Sequence, residues 1–148
     1  MLTVVAALIE HQGKVLACQR KRGQRFELMW EFPGGKVESG ETQEQALTRE
    51  LREELGVTAK IGREVFRTKY SYAEMREPIN LIFLSAAVRP SEVRNLEFEQ
   101  IAWRTPDSLP ELNFLAADRE LIEKLASGEI QIKAGWKRQL LRGKDLAE

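Results

Sequence analysis

The segment from Thr42 to Leu55 constrains this 148-residue chain most strongly, because its pattern is typical of a helix with one apolar face. At about 100° per residue, three leucines fall on a single stripe that must face a core. These leucines are Leu47, Leu51 and Leu55. Thr42 and Gln45 fit a capping box at the start of the helix, and Gly56 provides a C-terminal stop.

The same predicted helix carries three glutamates, Glu50, Glu53 and Glu54, on an arc beside the leucine stripe. Carboxylates at this spacing repel one another, which destabilises an isolated helix by roughly a few tenths of a kcal/mol per pair. Folding does not require this arrangement, whereas a hard divalent cation such as Mg²⁺ or Mn²⁺ would neutralise it. Considered by itself, the helix leaves open both a cation site and an ordinary solvated acidic face.

The residues before the helix favour the cation site. Gly34 and Gly35 follow a proline and predict a turn in which backbone carbonyls approach a ligand closely. A second tight segment begins at Gly40, and Lys36 lies between the two glycine segments. Such a loop beside an acidic helix is typical of a cradle for a metal-bound phosphate. The chain has one cysteine and one histidine, so oxygen atoms must hold any metal.

Composition limits the class of protein. The 23 basic and 23 acidic residues cancel, and the missing basic excess disfavours a protein that binds duplex nucleic acid. The apolar segment 1–9 is too short to span a bilayer and lacks a signal-peptide pattern. We therefore expect a cytoplasmic protein without a membrane partner. We expect a single domain over residues 1–130 and a tail of unknown role over residues 131–148.

Apolar segments between turn residues predict the remaining elements. Strands are predicted over residues 3–10, 14–19, 59–70, 79–88 and 98–104, and a second helix over residues 116–126. The residues from 30 to 35 form a short extended piece that ends in the glycine turn. Cys18 falls in a predicted strand and is expected to be a core side chain, whereas His11 is expected in a surface loop.

The segment from Gly35 to Val57 resembles the signature of the Nudix hydrolases, G-x5-E-x7-R-E-U-x-E-E-x-G-U, in which U is a bulky aliphatic residue. Every fixed position agrees. The matching residues are Gly35, Glu41, Arg49, Glu50, Leu51, Glu53, Glu54, Gly56 and Val57. The run from Trp30 to Lys36 (WEFPGGK) resembles the MutT-type branch, and the resemblance covers roughly residues 3–126.

This resemblance implies an α+β fold, an α/β/α sandwich around a central mixed β-sheet. It also implies a metal site, whose ligands would be Glu50, Glu53, Glu54 and the carbonyl of Gly34. Glu50 and Glu53 would be the catalytic residues, with Glu50 the candidate general base. Arg49 and Glu41 would form an ion pair that orients the loop and the helix.

The resemblance also implies functional residues outside the signature. MutT-type enzymes add an acidic metal ligand from a later loop, and Glu97, six residues before Trp103, occupies the matching place. Glu99 is the nearby alternative. Arg20 and Lys36 would contact the phosphates, although both also fit ordinary surface charge.

The base pocket would involve Phe32 and Asp118. Phe32 also fits a core role. Asp118 stands where the MutT pattern has an asparagine, and an ionised aspartate only accepts hydrogen bonds whereas a protonated one also donates. Asp118 also fits an N-cap or first-turn acid of the last helix. Tyr70, Tyr72 and Arg76 are expected near the mouth of the pocket, without an assigned role.

The function that the resemblance implies is hydrolysis of a nucleoside or deoxynucleoside triphosphate to the monophosphate and pyrophosphate. Mg²⁺ would be the cofactor, with Mn²⁺ as a substitute, and CTP or oxidised nucleotides such as 8-oxo-dGTP would be substrates. Alternatives are a Nudix hydrolase of nucleotide sugars, ADP-ribose, dinucleoside polyphosphates or 5′-triphosphate RNA, and a non-catalytic nucleotide-binding regulator. The expected partner is a small nucleotide, and the chain is expected to be a monomer or a homodimer.

Overall fold

The computed structural model describes residues 1–132, within which the chain forms seven β-strands and two α-helices. The strands are β1 (Leu2–His11), β2 (Lys14–Gln19), β3 (Trp30–Glu31), β4 (Gly34–Lys36), β5 (Lys60–Tyr70), β6 (Ile79–Ala87) and β7 (Gln100–Arg104). The helices are α1 (Gln43–Leu55) and α2 (Arg119–Ser127). Short 3₁₀ helices lie at Pro90–Glu92, Pro106–Glu111 and Ala116–Asp118.

Strand β1 is the centre of the sheet, because it pairs with β2, β4 and β6. Its pairing with β6 is parallel and runs from Leu2 opposite Ile79 to Ile9 opposite Ala86. The other pairings are antiparallel: β5 adds to β6, while β3 and β7 add to β2. The sheet is therefore mixed, as predicted.

Alternate residues of β1 enter two separate cores. Val5 and Ala7 belong to the core that contains the leucine stripe of α1, and all three of those leucines are fully buried. Ala6 and Leu8 belong to the core on the opposite face, which contains the apolar residues of α2. Because successive side chains of a strand point to opposite faces, one helix covers each face of the sheet. The predicted α/β/α sandwich is confirmed.

Helix α1 has the caps that its sequence predicts. The Thr42 hydroxyl accepts a hydrogen bond from the amide of Gln45 at 3.0 Å, and the Gln45 side chain accepts one from the amide of Thr42 at 3.0 Å. Gly56 ends the helix in the left-handed conformation, with φ of 68°. These contacts fix the ends of the segment that carries the three glutamates.

The predicted turn at Gly34 and Gly35 is wrong, because both residues lie in β4 and pair with β1. A Cβ atom at Gly34 would overlap the carbonyl oxygen of Val5, so the absence of a side chain permits this close approach. The second predicted helix is also corrected, since a 3₁₀ turn occupies Ala116–Asp118 before α2.

Other predictions concern the core and the chain ends. Cys18 is fully buried, as expected, and Ile132 is buried in the core beside α2. No helix among residues 1–132 is long and apolar enough to cross a membrane. The basic segment of the tail, from residue 133 onward, lies outside the described residues.

Replacement of Thr42 by alanine tests the cap of α1. We expect T42A to lower the free energy of unfolding by about 1 kcal/mol, because the amide of Gln45 loses its capping partner. Denaturant titration at fixed pH measures this loss. T48A is the matched control, because it makes the same change inside the helix, where alanine is favoured. Equal destabilisation by the two variants would contradict the assigned cap.

Candidate active site

Strand β4 lies directly against the acidic side of α1. The amide of Gly34 donates a hydrogen bond to the Glu54 carboxylate at 3.1 Å. A Cβ atom at Gly35 would overlap the Glu50 carboxylate. The two glycines therefore allow the backbone of β4 to reach the carboxylates of the helix, which no larger residue would permit.

Arg49 connects the helix to the loop before it. Its guanidinium donates to both oxygens of Glu41, at 2.7 and 2.9 Å, and to Glu50 at 2.9 Å. It also donates to the carbonyl oxygen of Lys36 at 3.1 Å. The predicted ion pair between Arg49 and Glu41 is present. The Glu41 carboxylate accepts hydrogen bonds from Arg49 and from the Glu38 amide, and these bonds lower the pKa of Glu41 to about 2.

A single cavity of about 430 Å³ opens beside this junction. Residues predicted for different tasks line it together. They are Arg20, Phe32, Gly34, Lys36, Glu54, Glu97 and Asp118. Glu50, Glu53, Glu41 and Arg49 do not line it: Glu50 lies behind Gly35, and the side chain of Glu53 is 61% exposed on the helix. The structure thus brings part of the predicted metal set together with the predicted phosphate and base residues at one opening, and leaves Glu50 and Glu53 outside its lining.

The structure separates the two candidates for the additional acidic residue. Glu97 lines the cavity with Glu54, and its charge adds to the burial that raises the pKa of Glu31, another residue of the lining. Glu99 lies outside the lining, with its carboxylate 3.9 Å from the guanidinium of Arg22. The position of Glu97 therefore favours it over Glu99.

Arg20 has a partner that the sequence did not predict. Its guanidinium donates to both carboxylate oxygens of Glu31 at 3.2 Å and to the carbonyl oxygen of Arg25 at 2.8 Å. Burial raises the pKa of Glu31, and the charge of Arg20 opposes that rise. Arg20 therefore contacts a carboxylate, while Lys36 carries the exposed positive charge on β4.

Glu31 lines the cavity but is not among the residues predicted from the sequence. Its side chain is 20% exposed and lies between the buried aromatic residues Trp30 and Phe32. An acidic residue between two aromatic residues in an extended segment is the signal that points to it. Its partner Arg20 follows β2, in which Cys18 pairs with Glu31, and this register is not readable from the sequence.

Asp118 lines the cavity and is buried, with 4% of its surface exposed. Burial and the charge of Glu31 raise its pKa well above its usual range. Asp118 occupies the N-cap position of α2, as that alternative expected, but its side chain makes no capping hydrogen bond there. Phe32 combines both predicted roles, because it lines the cavity and packs against Phe83 and Phe114.

Tyr72 connects the mouth of the cavity to the segment that carries Asp118. Its hydroxyl accepts a hydrogen bond from the amide of Ala117 at 2.8 Å. Its ring packs against Phe26 at 4.9 Å and Tyr70 at 4.7 Å between centroids. Of the three residues expected near the mouth, Tyr72 lines the cavity, whereas Tyr70 and Arg76 do not.

A comparison with protein-family models matches residues 1–125 to the NUDIX domain. The chain belongs to the NUDIX family. The resemblance seen in the glutamate signature is thereby confirmed, and the match spans both cores and the cavity. Members of this family generally require a divalent metal.

Relatives of this NUDIX chain include enzymes with named substrates. It is 39% identical over 127 residues to the CTP pyrophosphohydrolase of Escherichia coli strain K12, covering 83% of this chain and 90% of that protein. It is 33% identical over 126 residues to the 8-oxo-dGTP diphosphatase of Haemophilus influenzae, covering 84% and 91%. The solution structure of the Escherichia coli ORF135 protein matches with a TM-score of 0.73 and 32% identity, covering 100% of this chain and 95% of that one.

The carboxylates of α1 suit a hard divalent cation in their chemistry. Burial, followed by the charges of Glu50 and Glu31, raises the pKa of Glu54 to about 9, and burial also raises that of Glu50. A cation beside them would offset this crowding through oxygen ligands alone. Within residues 1–132, no three acidic, histidine or cysteine side chains are grouped closely enough to hold a metal as they stand. Arg49 engages Glu50, and the amide of Gly34 engages Glu54.

Replacement of Glu54 by glutamine tests this crowding. In the folded chain the pKa of Glu54 lies at about 9, above its ordinary value of 4.5, so the folded state retains a proton that the unfolded state releases. Without metal, the stability of the wild type should therefore fall as pH rises from about 4.5 to about 9. We expect E54Q to remove most of this fall in melting temperature, measured in a chelator from pH 5 to 9.

E53Q is the matched control for the pH series, because Glu53 is exposed on the same helix. Its melting curve should follow that of the wild type as the pH changes in the chelator. Addition of Mn²⁺ should raise the melting temperature of the wild type and leave that of E54Q nearly unchanged. Parallel pH curves for E54Q and the wild type would contradict the assigned burial of charge.

Proposed function

We propose that this chain is a Mg²⁺-dependent pyrophosphohydrolase that cleaves a nucleoside triphosphate to the monophosphate and pyrophosphate. One observation carries the proposal: Glu54, Glu97 and the buried Asp118 all line the same cavity. A metal–triphosphate would lie beside Glu54 and Glu97, and a base would lie beside Phe32 and Asp118. The named activities of the relatives support this choice, since each uses a nucleoside triphosphate.

The cation would be held by Glu50, Glu53, Glu54, Glu97 and the Gly34 carbonyl. When bound, it neutralises charge on the triphosphate and lowers the pKa of water. Mn²⁺ meets the same requirement for oxygen ligands and is expected to substitute. The proposed domain covers residues 1–130, acts on nucleotides in the cytoplasm, and leaves the tail over 131–148 without an assigned task.

The proton of the attacking water would pass to a carboxylate of α1. Glu50 is the better placed of the two proposed catalytic residues, because it is largely buried behind Gly35 and its pKa is raised. A carboxylate with a raised pKa is a stronger base. The hydrogen bond from Arg49 orients Glu50. As the water oxygen bonds to the β-phosphorus, the bond from that phosphorus to the α–β bridging oxygen breaks, and the nucleoside monophosphate leaves.

The phosphates would lie between the carboxylate end and the positive side chains of the cavity wall. Lys36 follows Gly35 on β4 and is exposed at the opening, so its ammonium group is free to meet a phosphate oxygen. Arg20 lines the same cavity and would share its guanidinium between Glu31 and a phosphate. Lys36 is therefore expected to contribute more to phosphate binding than Arg20.

The base would be read by Asp118 in its protonated form. A neutral carboxyl group presents one donor and one acceptor side by side. This pair is complementary to N3 and the amino group of cytosine, and also to N1 and the amino group of adenine. The 39% identical relative named for CTP favours the cytosine edge. An oxidised purine is the competing substrate, because another relative is named for 8-oxo-dGTP.

A substrate panel tests the reaction. We expect pyrophosphate and a monophosphate from CTP or a modified triphosphate with Mg²⁺, and little turnover of nucleotide sugars, ADP-ribose or triphosphorylated RNA. E53Q should lower kcat by about 100-fold or more, because it removes a proposed metal ligand. E44Q changes an exposed glutamate in the first turn of the same helix and should retain kcat. Equal rates on triphosphates and sugar diphosphates, or full activity in E53Q, would contradict the proposal.

Replacement of Asp118 by asparagine tests how the base is read. Asparagine presents the donor and acceptor of a protonated aspartate at every pH. We expect D118N to keep kcat/KM for CTP near neutral pH, and the wild type to lose activity relative to it as pH rises through the raised pKa of Asp118. D107N makes the same change at an exposed site outside the cavity and should match the wild-type profile. A loss of about tenfold or more in D118N at all pH values would instead assign the ionised form.

A further inference from the structure

The turn from residue 93 to residue 99, which carries Glu97, is docked on the C-terminal end of α1. The amide of Arg94 donates to the carbonyl oxygen of Leu55 at 2.9 Å, and the amide of Leu96 donates to that of Glu54 at 3.0 Å. Carbonyl groups at the end of a helix lack partners within the helix, so these two bonds satisfy them. The turn is thereby attached to the same residue, Glu54, whose side chain faces the cavity.

Asn95 shapes the turn with its side chain. Its Oδ1 accepts hydrogen bonds from the amides of Phe98 at 2.8 Å and Glu97 at 3.3 Å, and its Nδ2 donates to the carbonyl oxygen of Phe98 at 2.9 Å. Phe98 is buried in the core beside α1 and anchors the far side of the turn. One amide group therefore holds the backbone on both sides of Glu97.

The Glu97 side chain depends on this backbone for its direction, because the residue is exposed and extends from the turn into the cavity. After Glu97, the amide of Glu99 donates to the carbonyl oxygen of Gln19 at 2.9 Å and fixes the exit of the turn on β2. Freedom within the turn would move the Glu97 carboxylate relative to Glu54, whose position is set by the amide of Gly34.

We propose that Asn95 is a positioning residue, which holds the Glu97 carboxylate towards Glu54 so that both bind the same divalent cation. The inference rests on the proposed function in assigning Glu97 to the cation. Asparagine suits this position because only a side chain that both accepts and donates makes all three backbone bonds. Asn95 acts through Glu97 and needs no contact with the substrate.

A double-mutant cycle tests the proposal with Mn²⁺ as the probe. The Kd for Mn²⁺ is measured by electron paramagnetic resonance, without nucleotide, in the wild type, N95A, E97Q and the double variant. We expect N95A and E97Q each to raise the Kd by about tenfold. In the E97Q background, N95A should have no further effect, because its only route to the cation has been removed. Equal effects of N95A in both backgrounds, or an unchanged Kd in E97Q, would overturn the proposal.

Two further variants separate positioning from general damage to the fold. N95D keeps the two accepted hydrogen bonds and should bind Mn²⁺ more tightly than N95A; a Kd no better than that of N95A overturns the assignment to those bonds. N113A removes an exposed asparagine outside the cavity lining and should leave the Kd unchanged. An equal loss in N113A would show that the effect of N95A is nonspecific and would overturn the proposal.

Hydrogen exchange in the metal-free protein provides a readout independent of activity. The amide of Phe98 should exchange faster in N95A and at the wild-type rate in E97Q, because Asn95 is its acceptor. Unchanged protection in N95A would overturn the proposal. If the Mn²⁺ cycle behaves as expected but no triphosphate yields pyrophosphate, the proposed reaction fails while the role of Asn95 stands.

Discussion

The close approach of β4 to two neighbours at once is the constraint on which the site depends. On one side β4 pairs with β1, where a side chain at Gly34 would meet the backbone of Val5. On the other side it meets α1, where a side chain at Gly35 would meet Glu50. The glycines thus let one strand serve as sheet edge and as wall of the carboxylate site. Because α1 is fixed by its buried leucines and its caps, the position of every glutamate on it follows from this contact.

The crowded acidic residues of α1 destabilise the fold when no metal is bound, and the packing around them must offset this loss of stability. Glu54 is mostly shielded from water, and its neighbours Glu50 and Glu31 are also acidic, so its charged form is disfavoured. Arg49 offsets part of the repulsion at Glu50 and is itself held by Glu41. A cation that binds only the folded chain would stabilise it through mass action. Metal binding at these carboxylates would therefore be coupled to folding.

Patterns within short stretches of the sequence predicted the helix that carries the glutamates. The other parts of the site depend on contacts that the sequence pattern does not reveal. The signals that define α1, the leucine spacing and the capping residues, all lie within the helix or next to it. Its bounds and its buried face were therefore predicted correctly. The strand at Gly34 was missed because its partner β1 lies about thirty residues away. The Arg20–Glu31 pair depends on the register between β2 and β3. In the sequence Asn95 has no feature that distinguishes it from other polar loop residues. Its three hydrogen bonds exist only in the folded turn.

Four acidic residues line the cavity, Glu31, Glu54, Glu97 and Asp118, yet a triphosphate is itself strongly negative, so their charges must be offset in different ways. Beside α1, Glu50 and Glu54 are crowded and largely shielded from water, a setting in which a divalent cation would supply the missing positive charge. Around Asp118 a second cation is not required, because Arg20 already pairs with Glu31 and burial raises the pKa of Asp118. If the proposed roles hold, the different surroundings of these carboxyl groups divide them: Glu50, Glu54 and Glu97 would bind metal, and Asp118 would present a neutral hydrogen-bonding edge to a base.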